Sequence, residues 1–253
     1  MEEDPRLFEV FLDVQRGLPR QGPGSDESTN QAVSLCRGLP NNPVILDIGC
    51  GPGMQTVALA QALSGSITAV DIYQEYLDQL KERVQSRGVA ESIEILVADI
   101  NDLPFPHQSF DLIWSEGAAY NMGFENALVD WRRFLKSGGC LAVTELVWLR
   151  HDPPAPVFGF LENEYPAMTT VENNLETIRN SGYEPLAHFT LPDSAWWEHY
   201  YGPLEEKLPA LYEKYSDDAD ALNVIESTKS EIEMRRLYPD WYGYEFFISQ
   251  KVG

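Results

Sequence analysis

The sequence predicts an α/β protein built on a Rossmann-like, doubly wound sheet of seven strands. Two observations support this class. Short apolar runs alternate with amphipathic helical segments through most of the chain, which is typical of a mostly parallel sheet covered by helices on both faces. The first run, Val44–Ile48, leads directly into three alternate glycines, Gly49, Gly51 and Gly53, and then into a helical segment at 55–63.

Composition limits the classes of partner. The chain has 253 residues, of which 43% are apolar, so one α/β domain with a full core is expected. It carries 40 acidic and 18 basic residues, a net charge of −22, which argues against nucleic acid as substrate. The charge indicates a well-hydrated surface or, alternatively, a field that attracts cationic small molecules.

Cellular location is inferred from the same composition. No run of about 18 apolar residues is present, so no membrane span is expected. The start of the chain, Met-Glu-Glu-Asp, is acidic and does not resemble a secretory signal. Cys36, Cys50 and Cys140 lack metal-type spacing, so we expect no metal site and a reduced, cytoplasmic compartment.

The glycine turn indicates a nucleotide pocket. Glycine lets the backbone approach a ligand without a Cβ clash, and the start of a helix offers unpaired N–H donors. The spacing is Gly-x-Gly-x-Gly, whereas the dinucleotide fingerprint requires Gly-x-Gly-x-x-Gly. The alternative is a tight turn with no ligand.

Acidic residues follow the next two strands. The second strand, Ser66–Asp71, ends in a carboxylate 22 residues after Gly49, a distance suited to holding two ribose hydroxyls. An amphipathic helix follows at 73–84, and a third strand at 93–100 contains Asp99. Because ligands bind at the carboxyl ends of such strands, these acids, Ser115 and Glu145 are expected to meet at one crevice.

The glycine turn with its preceding Asp47 resembles motif I of the class I S-adenosylmethionine-dependent methyltransferases. Residues 103–105, 109–114 and 134–145 resemble later segments of the same family, so the resemblance extends from residue 44 to residue 145. It is strongest with small-molecule enzymes similar to the quinone-biosynthesis methyltransferases. The resemblance implies that the last strand, 241–250, is antiparallel and lies at the sheet edge.

The resemblance also implies the cofactor contacts. Asp47 and the glycine turn would surround the methionine end of S-adenosylmethionine, Asp71 would hold the ribose, and Asp99 would accept from the adenine amino group while Ile100 packs on the ring. S-adenosylhomocysteine would be the product. The predicted cofactor-binding residues are Asp47, Gly49, Cys50, Gly51, Gly53, Asp71, Ile72, Asp99, Ile100 and Ser115.

The acceptor site is expected around the loop after the fourth strand. This loop, 115–121, lacks the Asn-Pro-Pro-Tyr type of motif of methyltransferases that act on DNA bases or glutamine amides. Methyl transfer depends mainly on alignment, and a general base is needed only when the acceptor must lose a proton. The candidate catalytic residues are Glu116, Tyr120, Asn121, His151 and His199.

We expect a single domain over residues 1–253. Residues 1–40 form an N-terminal helical segment that acts as a lid or as a plain connection, with a helix start capped at Ser25. Residues 194–237 form a helical cap, rich in aromatic residues, between the sixth and last strands. A homodimer is compatible with the sequence.

The favoured function is methyl transfer from S-adenosylmethionine to a small-molecule acceptor held under the cap. Two alternatives remain open. One is a nicotinamide-dependent oxidoreductase on a related fold, and the other is a non-catalytic protein that binds S-adenosylmethionine.

Overall fold

The computed structural model describes residues 5–253, so the inference from the acidic start at 1–4 lies outside the described residues. In the described part of the chain, one sheet has the strand order β3-β2-β1-β4-β5-β8-β7. The strands are β1 Val44–Ile48, β2 Ser66–Asp71, β3 Ile93–Val97, β4 Phe110–Ser115, β5 Leu135–Trp148, β6 Thr169–Thr170, β7 Tyr183–Thr190 and β8 Tyr242–Lys251.

Helices separate the strands along the chain. The α-helices are α1 Pro5–Gln15, α2 Asp26–Leu35, α3 Met54–Ala62, α4 Gln74–Ser86, α5 Phe124–Trp131, α6 Ala155–Glu164, α7 Val171–Asn180, α8 Ser194–Trp196, α9 Gly202–Lys214 and α10 Ala219–Leu237. A π-helical turn, Trp197–Tyr201, joins α8 to α9. The predicted alternation of strands and helices is confirmed.

The central strand β1 sets the architecture. It pairs in parallel with β2 on one side and β4 on the other. Leu46 and Ile48 face a core that includes α5 and α7, whereas Ile45 faces the opposite core with residues of α2 and α3. Both faces are therefore buried, as its apolar, β-branched sequence predicts.

The position of the last strand corrects the prediction. β8 is antiparallel, as expected, but it lies between β5 and β7 instead of at the edge. Two consecutive residues of β8, Phe246 and Phe247, are buried on opposite faces of the sheet. Burial on both faces suits an interior strand. β7 takes the edge, and the predicted seven strands form the main order, with the two-residue strand β6 paired to β5 outside it.

Two local predictions have different outcomes. Ser25 is the N-cap of α2, because its hydroxyl accepts from the backbone N–H of Ser28 at 3.1 Å. The predicted N-cap is therefore confirmed.

The third strand ends at Val97 rather than at residue 100. It ends there because the Asp99 carboxylate accepts from the backbone N–H of Asn101 at 2.8 Å and forms a turn.

The predicted cap, residues 194–237, is helical except for the turn at 215–218 between α9 and α10. Its apolar core includes Trp196 and Leu204, and it is completed by Val14 of α1, Val157 of α6 and Tyr242 of β8. Because the cap shares this core with distant parts of the chain, we keep the proposal that it is an insertion within one domain.

Two thiols separated in the sequence lie close together. The Cys36 thiol donates to the Ala32 carbonyl and the Cys140 thiol to the Arg37 carbonyl, and the two thiols are close enough to interact. Among residues 5–253 there is no cluster of histidine, cysteine and acidic side chains suited to a metal ion, and no helix long and apolar enough to cross a membrane.

Candidate functional site

The turn after β1 is held in a left-handed backbone conformation. Gly49, Gly51 and Gly53 have φ angles of 70°, 51° and 80°. The N–H groups of Gly49 and Cys50 both donate to the Val70 carbonyl at 2.9 Å, which ties the turn to β2. Only glycine adopts these angles without strain, so the predicted role of the three glycines in the turn agrees with its geometry.

Two of the glycines also pack too closely for a side chain. A Cβ on Gly49 would lie 2.3 Å from the Ala118 Cβ, and one on Gly53 would lie 2.1 Å from Leu80 Cδ1. A Cβ on Gly51 would be 3.6 Å from the Gln21 side chain, an ordinary contact. The turn is therefore wedged between α4 and the loop after β4, with the N-terminal segment over its middle.

Asp71 lies beside this turn at the end of β2. Its carboxylate accepts from the backbone N–H of Gly51 at 2.9 Å and of Tyr73 at 3.0 Å. The side chain is 93% buried, and burial raises the pKa of this carboxyl above its usual range. Each oxygen keeps a lone pair for a further donor, as a ribose hydroxyl would supply.

Asp47 is fully buried beneath the turn. One oxygen accepts from the Thr56 hydroxyl at 2.6 Å, and the other, Oδ1, has no hydrogen-bond partner. Burial, with smaller effects of the neighbouring Glu116 and Asp71 carboxylates, raises the pKa of Asp47 to about 7, although the Thr56 bond acts in the opposite direction. A donor or a positive charge at Oδ1 would stabilise the ionised form.

A pH dependence of stability follows from this shift. Because the folded pKa of about 7 exceeds the usual 3.8, the folded state retains a proton that the unfolded chain loses, and the free energy of unfolding falls as pH rises between these values. Between about pH 5 and pH 8, we expect the free energy of unfolding of the native protein to fall by about 1–3 kcal/mol more than that of the Asp47→Asn variant. Urea unfolding at both pH values measures this, and equal losses would contradict the assigned shift.

The predicted adenine contacts lie at the open end of the crevice. Asp99 is exposed, and the two Asn101 bonds lower the pKa of its carboxyl. Ile72 is 52% exposed, whereas Ile100 is half-buried against the core. Ser115 is fully buried, and its hydroxyl donates to the Ile48 carbonyl at 3.0 Å, so in this structure it links β4 to β1.

Glu116 anchors the N-terminal segment. Its carboxylate accepts from Thr29 at 2.7 Å, from the Trp114 indole at 2.9 Å and from Arg20 at 2.9 Å. The Arg20 and Glu116 side chains are each 96% buried. Because three donors already occupy this carboxylate, its geometry favours a structural role over the catalytic role predicted from the loop.

Tyr120 lies over the carboxyl ends of the strands. Its ring packs against that of Tyr165, with centroids 6.1 Å apart, and the Tyr165 hydroxyl donates to Glu145 at 2.6 Å. Burial raises the pKa of Glu145 to about 7. The predicted catalytic Asn121 donates its side-chain amide to the Ala118 carbonyl at 3.1 Å and closes the loop.

The two predicted catalytic histidines, His151 and His199, do not contact Tyr120, Tyr165 or Glu145 in the contacts described above. His151 is exposed in the bend that follows β5. His199 is half-buried in the π-helical turn, where its backbone carbonyl accepts from the N–H of Arg20 at 3.3 Å. Their predicted catalytic role stays a prediction.

Several site residues were not singled out from the sequence. The sequence indicates only that Glu145 is an acid near a strand end, whereas the structure shows that it is the buried partner of Tyr165. Thr56 on α3 and Arg20 before α2 belong to no sequence motif. Their place in the site is seen only from the contacts of Thr56 with Asp47 and of Arg20 with Glu116.

Comparison with known proteins relates this crevice to the cofactor sites of methyltransferases. The family described as "Methyltransferase domain" matches residues 45–139, which contain most of β1, all of β2 to β4, the glycine turn and Asp71. An uncharacterized methyltransferase of Bacillus subtilis, YodH, is 25% identical over 239 residues, 93% of this chain and 95% of that protein. The chain spans about a third to a half of the length of the first curated relatives that it matches.

Solved structures share the whole fold. A SAM-dependent methyltransferase from Thiobacillus denitrificans, in complex with S-adenosyl-L-homocysteine, has a TM-score of 0.81 at 19% identity and covers 98% of this chain and 99% of its own. Residues 45–139 therefore match a methyltransferase family, and the described chain has the fold of S-adenosylmethionine-dependent methyltransferases. The [4+2]-cyclase SpnF also has this fold, with a TM-score of 0.73, 22% identity and coverage of 98% and 93%, so the fold alone does not define the reaction.

The crevice suits the cofactor of this family. The ammonium of S-adenosylmethionine would supply the donor that the buried Asp47 Oδ1 lacks. The bare backbone at Gly51 permits close approach, and Asp71 beside it has lone pairs for hydroxyl donors. The predicted class of cofactor is therefore consistent with the residues present.

Proposed function

We propose that this chain binds S-adenosylmethionine at the glycine turn and transfers its methyl group to a small molecule held under the cap. The hydrogen bond from the Gly51 N–H to the Asp71 carboxylate is the main support. It places a strand-end acid directly against the glycine turn, which is the arrangement required to hold a nucleoside at the start of α3.

Each group of the cofactor would have a chemically suited residue. Asp47 would bind the ammonium, Asp71 the ribose hydroxyls, and Asp99 with Ile100 the adenine. When bound, the cofactor supplies an electrophilic methyl group. The remaining work of the protein is to hold an acceptor in line with that group and to exclude water.

The acceptor would lie between the loop after β4 and the cap. We propose that Tyr120 and Asn121 align it, because their short 3₁₀ turn, Ala119–Asn121, follows the end of β4 next to the glycine turn. Glu145 is the better-placed group to exchange a proton, because its pKa of about 7 lets it act in either form at neutral pH. His151 and His199 remain second candidates.

The N-terminal segment would act as a lid over the cofactor. Gln21 lies over Gly51, and the Pro19 carbonyl accepts from Arg83 on α4 at 3.4 Å. Arg20 and Glu116 then fasten the segment to the loop after β4. These contacts connect both walls of the crevice, so cofactor entry would require them to open.

Binding of the cofactor product tests the proposal. S-adenosylhomocysteine should bind by calorimetry and raise the melting temperature. Asp71→Ala should weaken binding by about tenfold to 150-fold, since it removes charge-assisted hydrogen bonds. Asp78→Ala, which removes an exposed carboxylate from the neighbouring helix α4, is the matched control and should bind normally.

The alternatives give different outcomes. Unchanged affinity of Asp71→Ala would contradict the ribose assignment. Binding of NADH without binding of S-adenosylhomocysteine would favour an oxidoreductase. Tight binding with no labelled product from methyl-labelled S-adenosylmethionine and metabolite extracts would favour a non-catalytic protein.

The setting of the reaction is inferred from composition and thiols. We propose a cytoplasmic location, because Cys36, Cys50 and Cys140 are free thiols. The net charge of −22 supports a small-molecule substrate over a nucleic acid. A homodimer remains a proposal that a sedimentation measurement would decide.

A further inference from the structure

Two pairs of carboxyl and phenol groups lie on the cap side of the crevice. The Tyr165 hydroxyl donates to Glu145 at 2.6 Å, and the Tyr201 hydroxyl donates to Glu231 of α10 at 2.6 Å. We call these two pairs, with the phenols between them, the cap chamber. The additional phenols are Tyr120, Tyr200 and Tyr244.

Tyr244 connects the two pairs. It lies on β8, and it is close enough to interact electrostatically with both Glu145 and Glu231. Tyr120, in the 3₁₀ turn after β4, also interacts with both carboxyls. The two carboxyls therefore lie near the same phenols, beside the sheet ends and the cap.

A buried acceptor atom in the same place lacks a donor. Gln15, at the end of α1, is 93% buried, and its side chain lies close to the Tyr200 phenol. Its Oε1 atom has no hydrogen-bond partner. An unpartnered buried acceptor is costly, so this atom points to a ligand that donates a hydrogen bond.

The chamber contains acids and phenols but no partner cation for its carboxyls. Among the residues that the structure describes, neither Glu145 nor Glu231 forms an ion pair with a lysine, arginine or histidine. Burial raises the pKa of both carboxyls, although the bonds from Tyr165 and Tyr201 act in the opposite direction. A bound cation would stabilise the ionised form of both carboxyls.

We propose that the cap chamber is the acceptor site and that it binds a ligand bearing a protonated amine. This inference rests on the proposed methyltransferase function and adds the chemical class of the acceptor. An ammonium group would pair with Glu145 and Glu231, donate to Gln15 Oε1 and contact the faces of the surrounding phenol rings. The chamber would reject phosphates and carboxylates, which its acids repel.

Matched probes test the charge preference. The protein is first saturated with S-adenosylhomocysteine and then titrated by calorimetry with 2-phenylethylamine, 2-phenylethanol and 3-phenylpropanoate. Butylamine, butanol and butanoate provide the same comparison on a smaller body. We expect each amine to bind at least about tenfold more tightly than its alcohol, and the anions to bind most weakly.

Substitutions test whether Glu145 and Glu231 cause the preference for amines over alcohols. Glu145→Gln and Glu231→Gln should each weaken amine binding by about tenfold while leaving alcohol binding unchanged, because they remove charge but little volume. Glu226→Gln is the matched control. Glu226 also accepts from a cap phenol, Tyr212, at 2.8 Å, but this pair is exposed, so amine binding should not change.

The outcomes separate this inference from the proposed function. Loss of S-adenosylhomocysteine binding in the native protein would overturn the proposed function itself. Normal binding of S-adenosylhomocysteine, with no amine binding at millimolar concentration or with equal binding of amine and alcohol, would overturn the inference alone. Each variant must bind S-adenosylhomocysteine normally, which shows that it is folded, and an amine preference that both Gln variants keep would place the site elsewhere.

Discussion

Replacing Arg20 with methionine is expected to lower the free energy of unfolding by about 3–5 kcal/mol, because Glu116 would then keep a buried charge without its cation. The two side chains are each 96% buried and 2.9 Å apart. The same change should release the N-terminal segment, since Arg20 also donates to Asp26 at 3.3 Å. Urea unfolding measures the first effect, and faster hydrogen exchange in residues 16–29 measures the second.

Two further variants give this prediction its controls. Arg16→Met, in the same segment, removes the ion pairs of an exposed arginine with Asp13 and with Glu75 of α4, and should cost at most about 1 kcal/mol. Combining Arg20→Met with Glu116→Gln removes both charges and should recover part of the lost stability. If the double variant is as unstable as the sum of the single changes, the pair is not a coupled buried ion pair.

The elements around the glycine turn follow from local sequence. The run Val44–Ile48 is apolar throughout, the glycines require special φ angles, and residues Leu77, Leu80 and Val84 recur at helical spacing. Each signal lies within one element and specifies that element without distant contacts. This is why β1, the turn, α3 and α4 lie within one or two residues of their predicted limits.

Contacts between distant segments have no such signal. Arg20 and Glu116 are 96 residues apart, and the Tyr201–Glu231 pair joins two helices of the cap. The sequence identifies these residues as polar but does not indicate which of them are buried together. For this reason Glu116 was predicted as a catalytic residue, although its carboxylate holds the N-terminal segment.

The order of strands in the last part of the sheet also depends on distant packing. β8 and β7 have similar lengths and apolar contents, and either is a plausible edge strand from sequence alone. Phe246 and Phe247 bury opposite faces against the two halves of the core, which selects β8 as the interior strand. The edge position expected from the family resemblance was therefore wrong.

Replacing Gly49 with alanine is expected to abolish binding of S-adenosylhomocysteine and to destabilise the fold. The new Cβ would lie 2.3 Å from the Ala118 Cβ, and the φ of 70° would be strained for alanine. Strain costs about 1–3 kcal/mol, and overpacking costs about 1–3 kcal/mol more. Calorimetry with S-adenosylhomocysteine and urea unfolding measure the two losses.

Gly88→Ala separates strain from packing. Gly88 has the same φ of 70°, but a Cβ there would meet nothing within 4 Å, so only the cost of strain should be seen. Adding Ala118→Gly to Gly49→Ala removes the clash and should restore stability to about the level of Gly88→Ala. If Gly49→Ala alone is no less stable than Gly88→Ala, the turn can move away from the loop after β4. Continued tight binding of S-adenosylhomocysteine in that variant would show that the close packing at Gly49 is not what shapes the cofactor site.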